Sequence, residues 1–248
     1  MEKYLIFLIL ALITEIIGTV SGFGSSILFV PTSSLFFDFK AVLSITAVFH
    51  VFSNISKITL FRKGINKDIA IKLGIPAVLF VIIGALLTKY VPVKEMELGM
   101  NILIAALAIF LLFRFNKPLA QTNKNLYLGG MISGFFAGLV GTGGAIRGIT
   151  LAAFNLPKDI FIATSSLIDL GVDFSRAVIY VSQGYFPKEY IVLIPFLIIV
   201  SILGSYLGKL ILKRTSERVF KYIVLGIILL TSVFQFINYF LSPIWSAG

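Results

Sequence analysis

Ten apolar stretches, separated only by short polar or glycine-containing breaks, fill almost the whole chain. They run roughly 4–20, 26–37, 41–61, 69–90, 97–114, 126–140, 145–156, 159–182, 189–211 and 218–241. A helix needs about 20 apolar residues to cross a ~30 Å hydrocarbon layer. Most stretches meet that length, and the gaps leave no room for a water-soluble domain. Only 13% of the 248 residues are charged, against about 25% in soluble domains. The pattern excludes a soluble enzyme and a disordered chain, and it predicts an all-α polytopic membrane protein. The opening Met1-Glu2-Lys3 and the apolar run to Ile17 are expected to stay as a first helix, because the run leads into a glycine cluster rather than a cleavage motif.

Segments two and seven, at 12 residues each, are too short for an untilted span. Each is entered through small residues: Ser21-Gly22-Phe23-Gly24-Ser25-Ser26 in one case, Gly141-Thr142-Gly143-Gly144 in the other. The two lie in equivalent places. At a constant offset of 120 residues, Gly18 matches Gly138, Gly24 matches Gly144, Gly64 matches Gly184 and Gly84 matches Gly204. Such a spacing reads as a duplication of five segments, with a first membrane repeat at 1–116, a cytoplasmic linker at 117–125 and a second repeat at 126–248.

Lys and Arg orient the halves. Loops after odd-numbered segments hold thirteen basic residues, the remaining loops and tails hold six, and Lys57 and Arg176 lie inside segments. Cytoplasmic loops are the Lys/Arg-rich ones, so both termini are expected outside. Five segments per half then make the repeat inverted, with short broken or re-entrant helices. The parity holds equally if segments one and two form a re-entrant pair. The formal charge of +10 is thereby explained as topology, and a nucleic-acid partner is not expected.

In lipid every backbone N–H and C=O needs a partner, so a break at membrane depth belongs beside protein or a wet cavity. Helix N-termini present free N–H groups and partial positive charge, which suits an anion. Glycines that only ease helix packing are the competing reading. Ser21, Gly22, Gly24, Ser25, Gly143 and Gly144 are the candidate backbone donors, with Thr46, Asn54, Thr164 and Ser166 as side-chain contacts. Charges in the membrane interior are costly and should face water or each other. Lys57, Arg147 and Arg176 are the candidate cations, and they are expected to outweigh the few acids. Asp173–Arg176 is the obvious ion pair, whether structural or functional, which leaves Asp169 unpaired. Glu15 could neutralise Lys57 or Arg176. Arg147 could touch an anion or reach a headgroup. Glu15, His50, Asp169 and Asp173 are the candidates for proton coupling, although a hydrogen-bonded structural His50 fits equally well.

There is no P-loop, no convincing metal spacing and no cysteine, so no catalytic residue, metal or cofactor is expected. The paired glycine breaks, Pro31 and the Ser/Thr-rich third segment resemble the sulfite exporter TauE/SafE family over nearly the whole chain. That resemblance implies transport of sulfite and small organosulfur anions such as sulfoacetate across a bacterial inner membrane. The expectation taken forward is a secondary transporter of sulfite, thiosulfate or organosulfonates, working by export or proton-linked exchange. An anion channel and, further off, a lipid-modifying membrane enzyme are the alternatives. For a monovalent anion, a potential of 100 mV provides about 2.3 kcal/mol for exit, enough without coupling. Partners beyond the small anion and the lipid, and the oligomeric state, are not legible.

Overall fold

A computed structural model describes residues 2–61, 64–114 and 119–216, together with Val219, Tyr222 and Val233. Among these residues the regular structure is all helical, with no strand. The helices are α1 (Glu2–Ser21), α2 (Ser26–Ser33), α3 (Phe39–Leu60), α4 (Lys67–Leu87), α5 (Val93–Arg114), α6 (Asn123–Val140), α7 (Gly144–Ala152), α8 (Lys158–Ser182) and α9 (Leu193–Lys213). A 3-10 turn, Lys188–Val192, leads into α9. The first nine apolar segments each become one helix. The tenth, 218–241, lies almost wholly outside the described residues.

Two boundaries differ from expectation. Helix α6 starts inside the stretch assigned to the linker, because Thr122 Oγ1 accepts the Asn125 N–H at 3.2 Å and caps the helix early. Segments two and seven yield only 8 and 9 helical residues. Each follows a break in which glycine takes positive φ: Gly22 (73°) and Gly24 (81°) before α2, Gly141 (81°) before α7. L-residues with a Cβ avoid that region, which is why these positions read as breaks in the sequence.

Contacts between the helices give their directions. Along α3 and α8, Ser44 meets Tyr185, His50 meets Arg176, Asn54 meets Asp173 and Asn66 meets Thr164. The numbers rise on one helix as they fall on the other, so these repeat-equivalent helices run antiparallel. Helices α4 and α6 run parallel, as Gly130 abuts Leu73, Gly134 abuts Ala77 and Gly138 abuts Val81. Helices α1 and α9 also run parallel, with Gly204 on Glu15 and Gly208 on Thr19. An offset of 120 turns α4–α6 packing into α9–α1 packing, and α4–α8 packing into α9–α3 packing; all four pairs are in contact. The second half is therefore an inverted copy of the first.

Helix α2 does not cross. Phe37, four residues past its end, stacks on Tyr4 (6.2 Å between ring centroids) and meets Phe7 edge-on (4.8 Å). The chain has thus returned to the end at which α1 began, and α1–α2 form a re-entrant hairpin whose tip is the first glycine break. Helices α6 and α7 repeat this from the opposite end.

Among the described residues, four stretches have the length and apolarity to span a bilayer: α1, α3, α4, and the 3-10 turn continued by α9. Helix α8 has 25 residues but carries Lys158, Asp159, Asp169, Asp173 and Arg176. The packing is that of a membrane protein. Lipid supplies no hydrophobic drive between helices, so interfaces favour small residues that let backbones approach. Gly130, Gly134 and Gly138 line such an interface on α6, while Ile71, Ile75, Leu79 and Ile83 lie exposed on α4. Two apolar clusters fill the interior. One holds Phe23, Phe61, Leu73 and Phe161, the other Phe7, Phe29, Phe37 and Phe49. A polar layer separates them.

Candidate functional site

The two glycine breaks meet in this layer. The main-chain oxygen of Phe23, in the first break, rests against Gly144 in the second. Helix α2 points away from the contact toward the end where α1 begins, and α7 points the other way. Their N-termini therefore converge. Neither Ser25 nor Gly143 caps its helix with a side chain, so first-turn N–H groups and two positive dipole ends face one region.

Between them is a cavity of about 10 Å³, room for about one water molecule. It is lined by Gly24, Ser25, Ser26, Gly141, Gly143 and Gly144 from the breaks, and by His50, Ser53, Asn54 and Lys57 of α3. Arg147 of α7 and Asp169, Asp173 and Arg176 of α8 complete the polar wall. Helical spacing explains these groupings: His50, Ser53, Asn54 and Lys57 share one face of α3, and Asp169, Asp173 and Arg176 share one face of α8.

Each buried cation has its own carboxylate. Lys57 Nζ lies 2.8 Å from Glu15 Oε1. Arg176 approaches Asp173 Oδ1 through Nη2 at 2.7 Å and Nε at 2.8 Å. Arg147 Nη2 pairs with Asp169 Oδ1. The expected excess of positive side chains is corrected: the cavity wall carries three cations and two acids, and Glu15, one layer behind the wall, supplies the third carboxylate. Asp169 is not unpaired, because the break folds α7 back across α8 and delivers Arg147 to it. Glu15 chooses Lys57, not Arg176.

The three pairs are differently saturated. Glu15 Oε1 also accepts from Ser53 (2.6 Å), Ser205 (3.0 Å) and Thr19 (3.3 Å), while Ser25 donates to Oε2 at 2.8 Å. This carboxylate joins α1, the first break, α3 and α9. Asp173 Oδ2 accepts from Asn54 Nδ2 at 2.8 Å. Arg176 Nη1 donates to Gly141 O at 2.8 Å and Ala137 O at 3.2 Å, satisfying carbonyls at the end of α6. Arg147 differs: its Nε and Nη1 are buried and have no hydrogen-bond partner. A buried, unmet guanidinium donor is expensive, and Arg147 is one of the residues lining the cavity.

His50 links the first two clusters. Its Nε2 is 2.8 Å from Ser25 Oγ. Ser25 spends its one proton on Glu15, so His50 donates from Nε2. That leaves Nδ1 to accept from Arg176 Nη2 at 3.5 Å.

Some expected contacts lie elsewhere. Thr164 Oγ1 accepts the Asn66 N–H at 3.0 Å and so pins the α3–α4 connection. Ser21 Oγ turns back to Gly18 O at 3.2 Å, and Gly22 faces the Phe161 ring. Thr46 and Ser166 are buried but not among the lining residues, and Thr46 Oγ1 has no partner. Glu15 stands behind Lys57 and Ser25, one layer from the cavity. Conversely Ser26, Ser53 and Gly141 line it without having been assigned to it. Ser53 shares the α3 face already noted, and Ser26 and Gly141 belong to the two small-residue clusters, so the signal was there. No group of three or more potential metal ligands occurs among the described residues.

A model of the Sulfite exporter TauE/SafE family matches residues 6–234. Neither the curated proteins nor the solved structures compared contain a match.

Proposed function

Since the chain belongs to the sulfite exporter TauE/SafE family, and is thus a transporter of that membrane class, we propose that it carries a small sulfur oxyanion, such as sulfite, thiosulfate or sulfoacetate, by alternating access at the cavity between the breaks. The single observation that carries this reading is Arg147, a cavity-lining residue whose Nε and Nη1 are buried and unmet. A planar guanidinium edge suits an oxyanion. The two converging helix N-termini add donors without adding a mobile charge. Gly24, Gly143 and Gly144 keep side chains out of the way, while Ser25, Asn54, Lys57 and Arg176 complete the wall.

Inverted repeats support the transport mode. Two re-entrant hairpins entering from opposite ends can rock against one another about a fixed central site. The apolar clusters on either side of the polar layer favour a carrier over an open channel. Basic residues support the orientation. Lys67, Lys124, Lys158, Lys209, Lys213 and Arg214 gather at one end, where Lys158 Nζ reaches Leu212 O (3.1 Å) and Thr215 O (2.6 Å). The positive-inside rule makes that end cytoplasmic and leaves the amino terminus outside.

The test is sulfite flux in proteoliposomes. Arg147→Lys keeps the charge but cannot hold Asp169 and still offer two further planar donors. Losing hydrogen bonds worth about 1.5–3 kcal/mol to a charged partner should lower flux by about 10–100-fold in a folded protein. Undiminished sulfite flux through Arg147→Lys would reject this site.

A further inference from the structure

We infer that the anion does not travel alone: it displaces Asp169 from Arg147, and Asp169 then crosses carrying a proton. The inference rests on the transport reading above and adds a second, coupled ligand to it.

The starting point is charge balance. The cavity wall and the carboxylate behind it hold Lys57, Arg147 and Arg176 against Glu15, Asp169 and Asp173, with His50 read as neutral. An anion placed in so small a volume adds one uncompensated negative charge, in surroundings that water does not screen. Like charges sharing a site drive one of them to take a proton. Both the empty carrier and the loaded one then present the same net charge to the hydrocarbon as they reorient.

Geometry selects the acid. Glu15 accepts five donors, and a protonated carboxyl there would have to turn one away. Asp173 is held by two guanidinium nitrogens and by Asn54. Asp169 has the fewest ties: Arg147 on Oδ1, and Ser165 at a long 3.3 Å on Oδ2. Its side chain is also the most open, at 12% against 5% for Asp173 and 0% for Glu15. Most of all, it shares its one strong partner, Arg147, with the unmet donors that the anion would use. The charged and titratable groups lining the same cavity are Arg147 on α7, Asp173 and Arg176 on its own helix, and His50 and Lys57 on α3, with Glu15 on α1 behind Lys57. No bond to sulfur forms or breaks. A proton binds Asp169 when the anion enters and leaves when the salt bridge re-forms.

The experiment measures radiolabelled sulfite accumulation in proteoliposomes in mildly acid buffer, where hydrogensulfite is the main species. A valinomycin-set potassium diffusion potential or a pH gradient is the driving force. A single uncoupled negative charge accumulates about 40-fold per 100 mV. Wild type should change less than about 2-fold with potential on that scale and respond instead to the pH gradient. Asp169→Asn should lose the pH response and gain the potential response, while Asp169→Glu should restore wild-type behaviour. Wild-type accumulation that follows the potential would overturn the coupling while leaving anion transport intact. A folded Asp169→Asn with unchanged pH response would also overturn it. Complete absence of sulfite flux in wild type would instead remove the transport reading itself.

Discussion

The main-chain oxygen of Phe23 rests against Gly144, so the tips of the two re-entrant hairpins touch backbone to backbone. A Cβ at residue 144 would run into that oxygen, which cannot swing aside as a side-chain tip can. Gly24 differs. Nothing lies within 4 Å of the corresponding position, but its φ is +81°. Gly24→Ala should therefore cost only the left-handed penalty, about 1–2 kcal/mol, and keep measurable transport. Gly144→Val should abolish transport by separating the hairpins. Thermal melting of the purified proteins, read beside sulfite flux, separates these outcomes.

Glu15 anchors four elements through one charge. Glu15→Gln leaves Lys57 buried without its counter-ion, and breaking a buried pair from one side costs about 3–5 kcal/mol. Removing the partner charge as well, in Glu15→Gln/Lys57→Met, should recover most of that loss, because Ser53 and Ser205 can still donate to the amide oxygen in the place of Oε1, with the amide NH2 turned toward Ser25. Denaturation of the three proteins in detergent checks this. A double variant no more stable than the single one would contradict the pairing.

The bilayer made much of the fold legible. Crossing helices must be apolar over a fixed length, so nine of ten segments could be read from hydropathy, and the recurring glycines at an offset of 120 gave the inverted repeat. The shortness of segments two and seven was legible as a broken or re-entrant helix, but not the choice between a tilted crossing and a return. For the same reason the Arg147–Asp169 pair was missed. The two are 22 residues apart on different helices, and only the hairpin brings them together. His50, Asn54 and Lys57, which share one helix face, and Asp173 and Arg176, which share another, line one cavity.

Helices α4 and α6 should tolerate side-chain growth on one side only. Gly134 abuts the backbone of Ala77, whereas Ile132, two residues earlier, is 46% exposed. Gly134→Leu forces parallel helices apart and should destabilise by about 1–3 kcal/mol or more, seen as lost expression and earlier melting. Ile132→Leu exchanges one lipid-facing side chain for another of equal volume and should change neither.

The orientation can be tested in intact cells because the sequence contains no cysteine, so every introduced thiol reports alone. Lys3 lies over the Phe37 ring and Lys40 over the Tyr185 ring, which puts both at the end holding Lys94 and Lys188. That end is acid-balanced by Glu2, Asp38, Glu95, Glu97 and Glu189. The opposite end has Asp68 and Asp159 among its described residues against a larger set of lysines and Arg214. Lys94→Cys and Lys188→Cys should react with a membrane-impermeant maleimide added outside. Lys72→Cys and Lys124→Cys should react only after the membrane is opened. The reverse pattern would invert the topology and exchange the inner and outer faces of the cavity, although the Arg147 site itself would stand.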